Sequence, residues 1–479
     1  MAAHIRETAS RHRNITALID QEGPISYGQL LGGAAAASRT LQEAGAGLGS
    51  VVIISLPVCW QAYTAFLGCV SGGAIFVPVN LAWRQDDLTW LLSRVKPAAV
   101  VHHRDAERWR SAGVGEAQLI DASEFERPEI TTTELTVTEV PADHPFAYML
   151  SSGSTGRPKI VVEPGASYLR AIQNVGLALE LEPGERLLAP TQFHFTWSMA
   201  FNLLLPLVTG ATAVLLDPFE PKQAAAAIER YQVQYLWGSP VMFGLLIDAK
   251  TPPESLKSLR ICISGGAPTS SGVRLGWSSI SSAWIREGYG TTEGGTTAFQ
   301  RSEQDLENCM GLPYPEKQIR ILGEDDQPLP AGMQGEIAIG GPGVMTGYLD
   351  DPEATAAKFV DGFVRTGDMG WLDERGQLYV AGRIQPWINT GGAKVDPLEV
   401  QLVLQKLSGV RDCVVVPEPG PRGNDLVAAT IVAEPSVKLV RADVIRHCRQ
   451  HLAEYKIPQV VRFVEALSDI TGKIRSKPS

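Results

Sequence analysis

Between residues 151 and 159 the chain reads Ser151-Ser152-Gly153-Ser154-Thr155-Gly156-Arg157-Pro158-Lys159, so hydroxyls, backbone N–H groups and a lysine crowd into one short stretch. Glycines let such a backbone approach oxygens closely, and hydroxyls and an ammonium donate to negative charge, which suits the stretch to holding phosphate. Its spacing is not that of a Walker loop, in which Gly-Lys is followed by Ser or Thr after a fixed gap. A flexible polar linker is the simpler alternative. A second group, Glu287-Gly288-Tyr289-Gly290-Thr291-Thr292-Glu293-Gly294, sets an aromatic ring, hydroxyls and carboxylates among glycines. The ring is suited to stack on a base. Glu293 is suited to ligate magnesium, a hard cation that takes carboxylate oxygens beside nucleotide phosphates. Taken alone, the group reads as a capped glycine turn. In Val364-Arg365-Thr366-Gly367-Asp368 a carboxylate follows a tight turn and is suited to accept two ribose hydroxyls, against the alternative of an ordinary turn aspartate.

These groups need elements to hold them. Ser26 with Gln29 makes a capping-box pattern ahead of the alanine-rich Leu30 to Ala44. Val51 to Leu56 then reads as a buried strand, Cys59 to Val70 as a helix, Ala74 to Val79 as a strand, Asp86 to Arg94 as a helix and Ala98 to His102 as a strand. This alternation predicts a doubly wound α/β layer with a largely parallel sheet. Strand patterns resume near Arg186 to Ala189, Ala213 to Leu216, Tyr235 to Trp237 and Arg260 to Ile263. From about Gly335 the texture changes to short strands and tight turns, as in Gly335 to Gly340 and Gly376 to Val380 with a turn at Asp373 to Gly376, which predicts an antiparallel subdomain. Beyond Gly382 come a helix over Val400 to Leu407, strands at Cys413 to Val416 and Val427 to Val432, and a helix over Ala442 to Leu452. The expected organisation is a large domain over residues 1–382, a hinge at 383–386 and a small α+β domain over 387–479.

Length and composition agree. A chain of 479 residues exceeds what one hydrophobic core usually serves. With 44% hydrophobic and 20% charged residues it has the makeup of an ordinary globular protein. Its longest apolar runs fall far short of the ~20 residues that cross a bilayer. Met1 to Thr16 carries Arg6, Arg11 and Arg13 with no apolar run behind them, so no secretory signal is expected and the cytoplasm is the expected address. The six cysteines are scattered, without a close pair for zinc or redox cycling. A formal net charge of −10 with no basic stripe argues against nucleic acid as a partner. His447 and His451 lie one helical turn apart, but no glutamate follows His447 as in zincins, and a solvated helix face is the expected reading.

Read together, Ser264-Gly265-Gly266-Ala267-Pro268, the run ending Thr291-Thr292-Glu293, Arg365-Thr366-Gly367-Asp368 and Thr471-Gly472-Lys473 occur in one order. In that order the chain resembles the acyl-adenylate-forming superfamily of acyl- and aryl-CoA synthetases, stand-alone aryl-acid-activating enzymes, peptide-synthetase adenylation domains and luciferases, over nearly its whole length. The resemblance implies ATP, Mg2+ and CoA, or a carrier-protein phosphopantetheine, as cofactors. It assigns Ser152, Gly153, Ser154, Thr155, Gly156 and Lys159 to a loop over the β- and γ-phosphates, Gly265, Gly266 and Tyr289 to the adenine pocket, and Ala267, Gly290 and Thr291 to cofactor binding beside them. Thr292 would bind the α-phosphate, Glu293 the magnesium, and Asp368 the ribose, with Arg383 on the same nucleotide. Lys473, from the small domain, would bridge the acid carboxylate and the α-phosphate.

The resemblance also places Phe193-His194-Phe195-Thr196-Trp197 at the acid pocket, His194 being counted among the catalytic residues. None of the five is acidic, which disfavours an amino-acid substrate, and the bulk of Phe195 and Trp197 points to an aromatic or other compact apolar carboxylic acid. Ile388 to Val395, with Gly391 and Gly392, resembles the loop bordering a pantetheine channel. Free CoA is the expected acceptor, with a carrier protein or an amine as alternatives; a non-catalytic nucleotide sensor would be expected to lose Lys473 or Glu293. Three departures stand out: Ile160 where the family usually has glycine, Gln385-Pro386 at the hinge, and a segment before Lys473 without the usual proline and threonine.

Overall fold

The structure is a computed structural model describing residues 1–479 apart from 82, 84, 130–133, 152–158, 304–307, 384–387, 390–393, 396, 421–424, 435–436, 453, 466 and 468–479, and apart from the side chains of Asp86, Arg383, Asn389, Lys394 and Pro419. Its first sheet is built on Val51–Ser55, which pairs in parallel with Ile75–Pro78 on one side and Ala99–His102 on the other. All five residues of Val51–Ser55 are buried. Val52 and Ile54 face Tyr63 and Phe66 in one core, while Val51 and Ile53 face Leu88 and Leu91 in another. A strand covered on both faces must be apolar at every position, which is why this one shows no alternation. Each Val or Ile so buried contributes about 1.5–3 kcal/mol. The helix Tyr27–Glu43 begins on the predicted capping box. Ser26 Oγ accepts from Gln29 N at 3.2 Å, and Gln29 Oε1 accepts from Ser26 N at 2.8 Å.

At one edge of this sheet Pro145–Ser151 and Lys159–Pro164 form an antiparallel hairpin, with Ser151 opposite Lys159. The two ends of the phosphate-type stretch are thereby held face to face. A two-residue strand, Gly347–Tyr348, adds to the same edge opposite Val162 and Val161 and brings Tyr348 beside the hairpin.

The second sheet runs in the order Gln318–Leu322, Gly335–Gly340, Phe363–Leu372, Leu378–Arg383, Cys309–Pro313, Gly295–Phe299, Ile285–Thr291, Ile261–Ser264, Tyr235–Gly238, Arg186–Leu188, Thr212–Val214, Thr16–Asp20, Gly23–Ser26. Ile285–Thr291 is its turning point. It pairs in parallel with Ile261–Ser264 as far as Ser264 opposite Glu287, then antiparallel with Gly295–Phe299 from Gly288 opposite Phe299. The antiparallel part therefore starts at Gly288, earlier than the Gly335 read from the sequence, and continues the parallel sheet without a break in hydrogen bonding. Glycines at 288, 290, 294 and 295 lack the β-branched alternation by which such strands are recognised.

The chain closes with a smaller C-terminal domain. Val410–Pro419 pairs antiparallel with Asp425–Ala433, which pairs in parallel with Val460–Val464, a strand not foreseen from the sequence. The helices Pro397–Gln405 and Arg441–His451 supply Val400, Leu404, Val444 and Cys448 to a core shared with Cys413, Val415, Val427 and Ile431. His447 Nε2 lies 2.8 Å from Val403 O and His451 Nδ1 lies 2.9 Å from His447 O, so both imidazoles meet backbone carbonyls. Among the described residues no helix is long and apolar enough to cross a membrane.

Candidate nucleotide and acid site

The turning strand carries the first pair. Tyr289 and Asp368 are both buried, and the Tyr289 hydroxyl donates to Asp368 Oδ2 at 2.7 Å across 79 positions of sequence. Asp368 lies inside the ten-residue strand Phe363–Leu372, so the tight turn expected ahead of it is an irregularity within a strand. Its presentation comes from a bulge: Ala338 faces Arg365 and Glu336 faces Met369, so extra residues on the Asp368 strand oppose a short stretch of its neighbour. Gly367, at φ +77°, supplies the left-handed residue this needs. The Thr366 hydroxyl donates to Ile337 O at 2.7 Å and accepts from Asp368 N at 3.0 Å, fixing the bulge. Arg365 is held by Glu336 and Asp326 and so braces the strand. In the next strand Arg383 stands opposite Asp368, which brings its backbone to the same place.

The second group forms where the turning strand ends. Thr291 Oγ1 accepts from Gly294 N at 2.8 Å, closing the turn, and Glu293 O accepts from Met345 N at 3.0 Å. The Glu293 side chain accepts from the Tyr348 hydroxyl at 2.9 Å, and Lys159 Nζ lies 4.6 Å from the Tyr348 ring centroid. Burial, and then the neighbouring Glu293 carboxylate, hold the Tyr348 hydroxyl well above its usual range, so it remains a donor. Lys159, Tyr348 and Glu293 thus stand in a row, and Tyr348 is not among the residues that the sequence singles out. No local motif marks it; it arrives through the two-residue strand. Tyr348→Phe removes a donor to a carboxylate, an interaction worth about 1.5–3 kcal/mol. We expect KM for MgATP to rise roughly tenfold with kcat changed less, and a steady-state titration showing an unaltered KM would separate Tyr348 from the nucleotide.

The third group faces these from the helical side. Thr196 Oγ1 lies 3.3 Å from Thr292 Oγ1. His194 packs on Phe195 with ring centroids 4.0 Å apart, and both its ring nitrogens are buried with no hydrogen-bond partner among the described residues. Burial pushes its pKa down to about 4, so the imidazole is neutral at physiological pH. Phe193 packs edge-on to Tyr63. The Trp197 indole lies against the backbone of Gly265 and Gly288, and its Nε1 is also buried without a partner among the described residues. Downstream, Met199–Leu204 takes a wider π-helical turn before Leu205–Thr209. Pro206 has no N–H to give and its ring would crowd the carbonyl of Asn202, so the backbone widens ahead of it. Gly266, at φ +84°, and Ala267 are exposed at the end of Ile261–Ser264, while Gly265 is buried.

Other expected site residues fall elsewhere. Ser152, Gly153, Ser154, Thr155 and Gly156, the hinge pair Gln385-Pro386, the loop residues Gly391 and Gly392, and Thr471-Gly472-Lys473 lie outside the described residues. A buried group beside the site escaped the sequence reading. Glu163 is fully buried in Lys159–Pro164, and neither carboxyl oxygen is hydrogen-bonded among the described residues. Burial raises its pKa well above the carboxylate range, with Lys317 opposing. Burial pushes Lys317 down to about 7, and its Nζ donates to Pro342 O. The available signal was period two: Val161 and Glu163 share the inward face of their strand.

Comparison with known proteins gives this arrangement a lineage. The family model described as AMP-binding enzyme matches residues 5–349, and that of the AMP-binding enzyme C-terminal domain matches residues 399–472. A 3-(7a-methyl-1,5-dioxo-octahydro-1H-inden-4-yl)propanoyl:CoA ligase of Mycobacterium tuberculosis is 30% identical, over 97% of this chain and 94% of its own. A feruloyl-CoA synthase of an Amycolatopsis species is 28% identical, over 94% of this chain and 92% of its own. The crystal structure of ATP bound MatB from Rhodopseudomonas palustris has the same fold, with a TM-score of 0.88 over 98% of this chain and 96% of its own at 24% identity. With the motifs, the turning strand and a family model spanning most of its length in agreement, the chain belongs to the AMP-binding enzyme family.

Proposed function

We propose that this protein uses ATP to convert a carboxylic acid into an acyl adenylate, releasing pyrophosphate, and then transfers the acyl group to the thiol of CoA. The observation carrying this reading is that one strand and the turn after it make three contacts: Tyr289 to Asp368, Thr292 to Thr196, and Glu293 to Tyr348. We read these contacts as a nucleoside end, an acid end and a phosphate end, at the carboxyl side of a parallel sheet, where open α/β sheets bind ligands. Asp368 accepts the ribose hydroxyls and Tyr289 borders the base. Thr292 donates to the α-phosphate. Glu293, with the hydroxyls of Thr291 and Thr292 beside it in the chain, is a hard-oxygen set that fits magnesium; when bound, the ion offsets phosphate charge. Neutral His194 and Thr196 meet the acid. Lys159 anchors one end of the phosphate loop, and Lys473 is brought by the small domain, whose boundary we place at 383–386 between domains 1–382 and 387–479.

Orientation supplies much of the rate in such a reaction, because two anions must be held in line. The test is pyrophosphate release from purified protein with MgATP across aliphatic and aryl acids, with and without CoA, and mass spectrometry of the products. Acid-dependent release with an acyl-CoA product is the expected result. Acyl-AMP that forms but ignores CoA would replace the CoA step by a carrier-protein or amine acceptor, and the absence of acid-dependent release would refute acid activation.

A further inference from the structure

We infer that Lys317 and Glu163 are positioning residues for the turn that carries Thr292 and Glu293: the buried Lys317 side chain, kept in place by the Glu163 carboxyl, holds the loop over 341–345, and that loop sets the turn. The inference rests on the acid-activating reading above, in which the turn meets phosphate and magnesium, and deepens it. Two walls flank the loop. One is the strand Lys159–Pro164, whose Val162 O accepts from Thr346 N at 2.9 Å and whose next residue, Glu163, is fully buried. The other is the bend over 314–317, closed by Lys317 N, which donates to Tyr314 O at 3.0 Å. Asn174 Nδ2 donates to Pro315 O at 2.8 Å and so ties this bend to the helix Gly165–Ala178. From the bend Lys317, only 7% exposed, reaches Pro342 O and donates to it.

The loop passes this hold on to the turn at two points. Gly343 N donates to Ser167 Oγ at 2.9 Å, and a Cβ on Gly343 would fall 2.8 Å from Ala171 Cβ and 3.7 Å from Lys317 Nζ. The Gly343 carbonyl oxygen lies so close to Gly295 that a Cβ there would overlap it. Two residues on, Met345 N donates to Glu293 O at 3.0 Å. A displacement of Pro342 and Gly343 therefore reaches both Glu293 and Gly295, because a close-packed interior transmits strain. The two polar groups that hold the loop also depend on each other. A buried cation without a counter-charge is costly, and so is a buried carboxyl with neither oxygen hydrogen-bonded, as Glu163 is among the described residues. Burial disfavours the charged form of each, and the partner opposes that in both cases. Apolar side chains at 163 and 317 would fill the space without this cost, but they would take from Pro342 O the donor that fixes the loop.

The test combines amide hydrogen exchange over 341–346, calorimetric titration with MgATP and thermal unfolding, on wild type, Lys317→Met, Glu163→Gln and the double variant Glu163→Leu with Lys317→Met. Removing one member of a buried pair destabilises, whereas replacing both by apolar groups of similar volume is often neutral or stabilising. Lys317→Met alone is therefore expected to lower the melting temperature and the double variant to recover it. The other two readings are not expected to recover. In the double variant, exchange over 341–346 should stay about tenfold faster than in wild type and MgATP should bind about tenfold more weakly, the effect of losing one hydrogen bond from a charged donor. Glu163→Gln keeps the shape and the Lys317 donor, and should speed exchange by several-fold only. A double variant with wild-type exchange or wild-type MgATP affinity overturns the positioning role. Should the double variant not fold, Glu163→Gln decides, and unchanged exchange in it overturns the inference. A wild type that binds no MgATP overturns the acid-activating reading, while the exchange profiles still decide whether the pair holds the loop.

Discussion

Lys473→Ala is expected to lower acid-dependent pyrophosphate exchange by roughly a hundredfold to a thousandfold, the loss typical when one charge-stabilising group is taken from a transition state. Two anions, a carboxylate and a phosphate, must approach each other for the adenylate to form. An ammonium held about 4 Å away offsets that repulsion by about 4 kcal/mol at an effective dielectric near 20. Thr471 and Gly472 end the segment 399–472 matched by the C-terminal family model and Lys473 follows directly, in a chain whose other motifs keep the family's order. Thermal unfolding measured beside exchange separates a lost catalytic group from a lost fold. The variant should still make thioester from a presynthesised acyl adenylate and CoA, because the repulsion Lys473 relieves belongs to the first half-reaction. Normal exchange by Lys473→Ala would remove the residue from the mechanism; loss of both half-reactions would assign it to nucleotide or domain positioning instead.

For Asp368→Ala we expect ATP to bind roughly tenfold to a hundredfold more weakly, since hydrogen bonds to a charged group are each worth about 1.5–3 kcal/mol and a carboxylate can take both ribose hydroxyls. The same substitution strips the buried Tyr289 hydroxyl of the acceptor 2.7 Å away. Some folding stability should go with it, because the hydrogen bond from that hydroxyl is lost. Tyr289→Phe separates the two effects. It deletes the hydroxyl but leaves the carboxylate, and should weaken ATP binding far less than Asp368→Ala does. Calorimetric titration with ATP beside thermal unfolding of both variants provides the comparison. ATP affinity unchanged in Asp368→Ala would detach the residue from the ribose, whatever happened to the melting temperature.

The sequence by itself determined what is local. The capping box at Ser26 and Gln29 forms as read, because its two hydrogen bonds span three residues. The apolar runs at Val51–Ser55 and Ala99–His102 became buried parallel strands, because a strand covered on both faces admits nothing else. The order of the motifs also disclosed the family, because several separate motifs in one order rarely arise by chance. What only the tertiary structure decided is which of these groups meet. Tyr289 and Asp368 lie on strands separated in the sheet by three others, and their contact depends on strand order, on a bulge and on Gly367. Tyr348 reaches Glu293 through a strand of two residues, too short to leave a pattern. Glu163 and Lys317 came inward from segments that look ordinary one by one. The fit of Trp197 between Gly265 and Gly288 depends on which two strands became neighbours. Periodicity and capping are set by residues within one turn or one strand of each other, whereas strand order and register are selected by burial of the whole chain, so the chemistry was legible first and its geometry only in the fold.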